Sequence, residues 1–275
     1  MTIKSSAAII DQITALPAAC RRGGGRAHEV YWTASAPSSL TETSASTFSF
    51  GRNDDRRIVN FGRKRLTFAY RSNRTGTLQQ GEGPWEYSLA KHLETHPSIQ
   101  TYELHKHRAI FRQPDGGQTE YGPDAVWANV DGSLICAEVK ASESYFKLPA
   151  TAELLDMTER GLARGGIRLA KITGDALQAN RRLAFNVGRA FVDGQTRIGE
   201  PLIDRAKDLL AGGPLTIAAL GERLGIAPGS HVRVVNALLV RRAAAYDMSA
   251  AVTPDTIVTP APVAMPAADL ATLSV

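Results

Sequence analysis

Cysteine is nearly absent from this 275-residue chain, and no apolar run is long enough to span a membrane. Two cysteines, Cys20 and Cys136, form neither a disulfide framework nor a multi-cysteine zinc site. A membrane-spanning helix needs about 18 or more consecutive apolar residues, and the first thirty residues lack the pattern of a signal peptide. We therefore expect a soluble, cytoplasmic protein that has no membrane partner.

Two further kinds of site find little support. The chain has no Gly-rich phosphate loop, which argues against ATP hydrolysis. His92, His96, His105 and His107 cluster, but they lack cysteine partners and the helical His spacing with Glu that is typical of zinc sites. The histidines alone do not predict a zinc protein.

The chain has a net charge of +5, and its positive and negative residues are unevenly distributed along the sequence. Residues 1–80 carry 12 Lys/Arg and 5 Asp/Glu, a net +7, whereas residues 81–150 carry 6 and 10, a net −4. An acidic middle next to basic ends suits a cation site between surfaces that bind a polyanion. An ordinary solvated surface would give the same values, so charge alone does not decide the function.

Composition and periodicity divide the chain into four predicted parts. They are a flexible N-terminal segment (1–47), an α/β domain (48–192), a helical domain (193–248) and a flexible Pro/Ala-rich tail (249–275). In the α/β domain the order helix, three strands, helix, strand predicts a mixed sheet flanked by helices.

The helical domain has the order of a winged helix-turn-helix: a helix, a turn with Gly, a second helix and a short β piece. Arg233, Arg241 and Arg242 lie on or just after the second helix and are candidate DNA-binding residues. Arg63, Lys64 and Arg65, at the start of a possible strand with a cationic face, are further candidates. A helical bundle that contacts other proteins is the alternative interpretation.

One acidic pattern predicts chemistry. Pro123-Asp124 is followed, after thirteen residues, by Glu138-Val139-Lys140, and the Asp131-Gly132 pair between them indicates a hairpin. Such a hairpin brings Asp124 and Glu138 together from adjacent strands. Residues two apart on a strand share a face, so Lys140 lies beside Glu138.

Mg²⁺ prefers carboxylate, carbonyl and water oxygens, and phosphodiester hydrolysis needs a divalent cation and an activated water. We therefore predict metal ligands at Asp124, Glu138 and the Val139 carbonyl, with Glu86 as a further candidate and Mn²⁺ able to replace Mg²⁺. Lys140 would orient the water or hold the phosphate. The opposing interpretation is a surface ion pair at the end of an edge strand.

These residues resemble a known family. Residues 83–93 (GPWEYSLAKHL), 122–126 (GPDAV) and 137–140 (AEVK) are similar to the PD-(D/E)XK restriction-endonuclease superfamily, and more narrowly to TnsA, the endonuclease subunit of heteromeric transposases. The likeness continues through 169–173 (LAKIT) and covers about residues 60–245. At the second acidic position TnsA has Gln, whereas Glu138 follows the commoner nuclease pattern.

The resemblance implies a restriction-endonuclease-like fold with a C-terminal winged helix, and a catalytic set of Glu86, Asp124, Glu138 and Lys140. It also implies cleavage of the 5′ ends of a transposon, with DNA, a DDE transposase and an AAA-type ATPase as partners. Two alternatives remain open. One is a stand-alone restriction or phage-defence nuclease, and the other is a non-catalytic DNA- or protein-binding module that keeps a nuclease fold.

Overall fold

The computed structural model describes residues 32–33, 47–53, 66–113 and 115–263. Its strands are β1 (Trp32–Thr33), β2 (Thr47–Arg52), β3 (Thr67–Arg71), β4 (Leu78–Glu82), β5 (Ile99–Leu104), β6 (His107–Arg112), β7 (Gln118–Tyr121), β8 (Ala125–Asn129), β9 (Leu134–Lys140), β10 (Ile167–Thr173), β11 (Leu215–Thr216) and β12 (Ile257–Val258). Its α-helices are α1 (Gly83–Thr95), α2 (Glu143–Phe146), α3 (Pro149–Arg164), α4 (Gly174–Gln178), α5 (Arg181–Asp193), α6 (Glu200–Ala211), α7 (Ile217–Arg223) and α8 (His231–Val240). The chain is therefore a mixed α/β protein, as the sequence predicts.

The central sheet has the strand order β10-β9-β8-β5. β10 is parallel to β9, and the other two pairings are antiparallel. β8 and β9 form the predicted hairpin: Gly132 in its turn has φ +82°, a conformation that glycine adopts without steric cost, and its N–H donates to the Asn129 carbonyl. A second sheet, β1-β2-β6-β7, and the separate hairpin β3-β4 complete this part of the fold.

Each face of the central sheet has its own apolar core. On one face, Leu89 and Leu93 of α1 pack with Trp127, Ile135 and Ile172 from three strands. On the other face the second sheet and α3 enclose a core whose members include Phe50, Phe111, Val126, Leu155 and Leu162. Because successive side chains on a strand point to opposite faces, strands buried on both faces read as nearly continuous apolar runs.

A third core lies towards the C-terminus. It is formed by α5, α6, α7 and α8, with Leu183, Leu210, Leu220 and Leu238 among its buried members. The predicted domain boundary at residue 192 assigns α5 to the α/β domain. The helix instead ends at Asp193, and its buried apolar face packs into this third core.

The predicted tail over 249–275 is wrong for its first part. Ile257–Val258 forms β12, which pairs antiparallel with β11, and the Val258 side chain is fully buried in the third core. Thr259 also bridges to Ala245. The prolines that favour a flexible tail lie on either side of residues 255–259, which contain none. This short stretch can therefore pair as a strand, and its Val258 side chain fills a core position.

The predicted flexible segment 1–47 also needs a correction. Trp32–Thr33 pairs with Phe48 and Thr47 as the edge strand β1, and Thr47 itself begins β2. The rest of that segment, the residues after 263 and the candidate DNA-binding residues Arg63, Lys64 and Arg65 lie outside the described residues. Within the described part of the chain, the helices fall short of the length and apolarity that crossing a bilayer requires.

Candidate metal centre

The candidate site lies where the chain crosses between the two sheets. β5 belongs to the central sheet and β6 to the second sheet, and the chain passes between them at His105 and Lys106. It returns between β7 and β8, at residues 122–124. The two crossings are joined by a hydrogen bond, because the His105 N–H donates to the Asp124 carbonyl at 3.1 Å.

Asp124 is fixed by the end of the β8–β9 hairpin. Ala125 pairs with Ala137, so Asp124 and Glu138 are the next residues beyond this pair. The Asp124 N–H donates to the Ala137 carbonyl at 2.9 Å, and the Val139 N–H donates to Asp124 Oδ2 at 2.7 Å. The hairpin therefore determines where this carboxylate points.

Glu86 reaches the site from the first turn of α1. Its Oε2 accepts from the Glu82 N–H at 2.7 Å and lies 2.6 Å from His105 Nε2. One potential ligand atom from each of Glu86, His105 and Asp124 lies within 4.8 Å of the other two. Three residues that are distant in sequence thus present two oxygens and one nitrogen to a common point.

Glu138 and Lys140 stand beside this group. The Tyr121 hydroxyl donates to Glu138 Oε2 at 2.8 Å, and Lys140 Nζ contacts Glu138 Oε1. Both oxygens of Glu138 are therefore engaged by donors. The prediction that Glu138 and the Val139 carbonyl ligate a cation stays a prediction, while the Val139 N–H has a definite role as the donor to Asp124.

Burial governs the electrostatics of the site. It raises the pKa of Asp124 well above the usual range for a carboxyl group, and the charges of Glu138 and Glu86 raise it further, against the Val139 N–H and the Lys140 ammonium. Burial lowers the pKa of Lys140, but the hydrogen bond to Glu138 and the surrounding carboxylates outweigh burial and raise that pKa overall. Lys140 thus remains a cationic donor at neutral pH.

Glycine allows close packing on both sides of Glu86. A Cβ on Gly174 would lie 2.3 Å from the Trp85 ring, and a Cβ on Gly81 would lie 2.4 Å from the Phe68 ring and 3.1 Å from Glu86 Oε2. Real Cβ atoms do not approach other atoms so closely, and crowding of a packed interior forces backbone shifts. These two glycines let the start of α1 sit against α4 and the β3–β4 hairpin.

No protein-family model and no curated protein matches the chain. The site is therefore interpreted from its own geometry. It combines two carboxylates and an imidazole within reach of one cation, and an ammonium group beside them.

The structure brings together Glu86, Asp124, Glu138 and Lys140 from the predicted set, and it adds His105. The signal for His105 was present in the sequence, since this histidine belongs to the noted cluster, but nothing in its spacing separates it from its neighbours. Of the arginines, Arg233 is exposed on α8. Arg241 donates to the carbonyls of Gly194, Thr196 and Ala237, and Arg242 donates to that of Pro262.

Proposed function

We propose that this protein is a metal-dependent DNA endonuclease of the restriction-endonuclease type, similar to the TnsA subunit that cuts the 5′ ends of a transposon. One observation carries the proposal: Glu86 and Asp124 converge at a sheet end, beside a Glu138–Lys140 pair whose lysine is held as a cationic donor. A surface ion pair at an edge strand would not place a buried aspartate among three further charged groups.

The fold is compatible with this proposal. A mixed sheet with helices on its faces and the acidic residues at the end of a β-hairpin is the arrangement that the resemblance implies. The order α6, β11, α7, α8, β12 around the third core supports the proposed winged helix, in which β12 would belong to the wing. The exposed Arg233 on α8 is available to contact DNA phosphates.

The donor set fits a divalent cation. Asp124 is buried near other carboxylates, and its pKa is raised. A carboxylate in such surroundings gains most from an added positive charge. Glu86 and Asp124 would hold Mg²⁺ or Mn²⁺, with Glu138 adjacent. When bound, such a cation neutralises phosphate charge and acidifies a coordinated water.

The chain's own groups supply the rest of the chemistry. Lys140 Nζ, oriented by Glu138, would donate to a phosphate oxygen or to the attacking water. Tyr121 orients Glu138 in turn, so it acts as a positioning residue. The Val139 N–H keeps the Asp124 carboxylate directed at the common point.

Nicking of supercoiled plasmid, with Mg²⁺ or Mn²⁺ and with EDTA as the blank, tests the proposal. We expect slow, cation-dependent nicking by the isolated chain and a loss of at least about 100-fold in the Asp124→Asn variant, with unchanged folding and DNA binding. Asp131→Asn is the matched control. Asp131 lies in the exposed hairpin turn, where its Oδ1 accepts from Ser133, and an amide oxygen can do the same.

Undiminished nicking by Asp124→Asn would refute the assignment. Addition of a DDE transposase and an AAA-type ATPase should accelerate cutting if the chain is a transposase subunit. Rapid cutting at many sites by the isolated chain would instead support the stand-alone nuclease.

A further inference from the structure

His105 occupies an unusual backbone position in the site. Its φ is +54°, in the left-handed region that residues with a Cβ rarely adopt, although histidine does so more often than most. The side chain is buried at 3% exposure. Strained residues of this kind persist where the surrounding structure enforces them, and they cluster at functional sites.

The two ring nitrogens of His105 have very different surroundings. Nε2 faces Glu86 Oε2 at 2.6 Å, whereas Nδ1 is buried and has no hydrogen-bond partner among the described residues. A neutral ring that donates from Nε2 leaves Nδ1 as an unsatisfied acceptor. A ring that carries its proton on Nδ1 leaves that N–H as an unsatisfied donor, but it directs the Nε2 lone pair at Glu86 Oε2, an arrangement that a shared cation stabilises.

We propose that His105 Nε2 is the third protein ligand of the cation, alongside the carboxylates of Glu86 and Asp124. This inference rests on the proposed function and identifies the metal that the same site selects. One ring nitrogen of His105 and one oxygen of each carboxylate already lie within 4.8 Å of one another, and the His105 N–H bond to the Asp124 carbonyl fixes the backbone from which the ring projects.

A nitrogen ligand changes which cation the site prefers. Mg²⁺ is a hard cation that takes oxygen ligands and keeps several waters. Imidazole suits first-row transition metals, whose affinity for nitrogen exceeds that of Mg²⁺. The site therefore favours Mn²⁺ and Co²⁺ over Mg²⁺, in contrast to an all-carboxylate site.

Pulsed electron paramagnetic resonance of the Mn²⁺-loaded full chain tests the ligand directly, without any substitution. We expect modulation from a directly coordinated ¹⁴N. Titration calorimetry should show Mn²⁺ and Co²⁺ binding at least about 10-fold more tightly than Mg²⁺.

Substitution provides the second test. In His105→Asn the residue still tolerates a positive φ, but the imidazole is lost, so Mn²⁺ affinity should fall by about 10- to 100-fold while Mg²⁺ affinity changes much less. The control is His107→Asn. His107 is equally buried two residues along the chain, but its ring stacks on Phe50, with centroids 5.5 Å apart, and the substitution should leave the Mn²⁺/Mg²⁺ preference unchanged.

The outcomes separate this inference from the proposed function. Mn²⁺ binding without a coordinated nitrogen overturns the role of His105 but leaves a carboxylate nuclease site. Nitrogen coordination in a chain that never cuts DNA upholds His105 and overturns the nuclease. If the wild-type chain binds none of these cations, both are overturned.

Discussion

At Asp124 the requirement for a cation ligand conflicts with the requirement for stability. The carboxylate is held among other acidic groups, and burial raises its pKa well above the usual range. In the absence of a cation this placement costs stability, because an ionised carboxylate is better solvated in the unfolded chain. A residue selected for stability alone would be neutral at this position.

The stability of the metal-free protein should therefore depend on pH in a defined direction. Above the ordinary aspartate pKa of about 3.9, the unfolded chain loses the Asp124 proton, while the folded chain keeps it up to its raised pKa. The folded state then binds more protons, so its stability falls as the pH rises through that window. Asp124→Asn removes the penalty and should raise the free energy of unfolding in EDTA at pH 8, with little effect at pH 4.

Denaturant titrations at the two pH values measure this difference. Saturating Mn²⁺ should raise the Tm of the wild type by more than that of Asp124→Asn, since the variant lacks one of the carboxylate ligands that couple binding to folding. Lower stability of the Asn variant at pH 8 would contradict this interpretation.

Most of the candidate site could be predicted from the sequence. Asp124, Glu138 and Lys140 are predictable because a turn signal fixes the hairpin and the period of a strand fixes which side chains share a face. His105 was not predictable as a site residue. Its place depends on a left-handed residue at a crossing between two sheets, and on α1 carrying Glu86 to the same point.

Among the elements, the two-residue strand β12 contributes more than its length suggests. Val258 fills the third core with no exposure, whereas the adjacent Ile257 is 53% exposed. Two backbone bonds near it, from Ile217 N–H to Thr256 and from Ala218 N–H to Pro254, hold the start of α7 against the same segment. The segment therefore belongs to the folded C-terminal unit.

Neighbouring substitutions test this assignment. Val258→Ala should lower the free energy of unfolding by about 1 to 3 kcal/mol through lost burial and the cavity left behind. Ile257→Ala, one position along, should change it by less than about 0.5 kcal/mol. Equal effects in chemical denaturation would show that β12 does not pack as described.

Element boundaries were predicted less well than the elements themselves. The sequence favours a single strand over 119–130, but this stretch divides into β7 and β8, with the site's second crossing between them. The sequence likewise favours a single helix over 175–191, but this stretch divides because the Asn180 side chain accepts from the Leu183 N–H at 3.0 Å and caps a new helix, α5. Both breaks carry local signals, Gly122-Pro123 at the first and the capping Asn180 at the second, which an interpretation from apolar periodicity passes over.

Across the whole molecule, two aromatic contacts of Phe191 link the C-terminal unit to the part of the fold that carries the candidate site. The Phe191 ring on α5 packs edge-on against Tyr70, with centroids 4.9 Å apart, and against Tyr87, at 5.8 Å. Tyr87 follows Glu86 on α1. The Asn73 side chain adds a polar link to the Gly194 carbonyl at 3.1 Å.

Phe191→Ala should weaken this link. We expect a loss of about 3 to 5 kcal/mol in unfolding free energy. The three tryptophans all precede residue 128, so their fluorescence reports on the α/β part, whereas circular dichroism also follows the C-terminal helices. The two signals should coincide for the wild type and separate for the variant.

Phe185→Ala is the control, because Phe185 lies on the same helix and is 66% exposed, and it should leave both signals unchanged. Coincident transitions in Phe191→Ala would show that the two parts are coupled elsewhere.

The parallel pairing of β10 with β9 has a consequence for synthesis. On the ribosome, every candidate catalytic residue has been translated by Lys140, but β10 ends only at Thr173. Until then β9 lacks the neighbour that pairs with it along its whole length, from Leu134 to Lys140. Strands buried on both faces do not hold their place without their partners. A nascent or prematurely terminated chain would thus carry the candidate site residues without holding them in position, and under the proposed function only copies extended past Thr173 would be able to cut DNA.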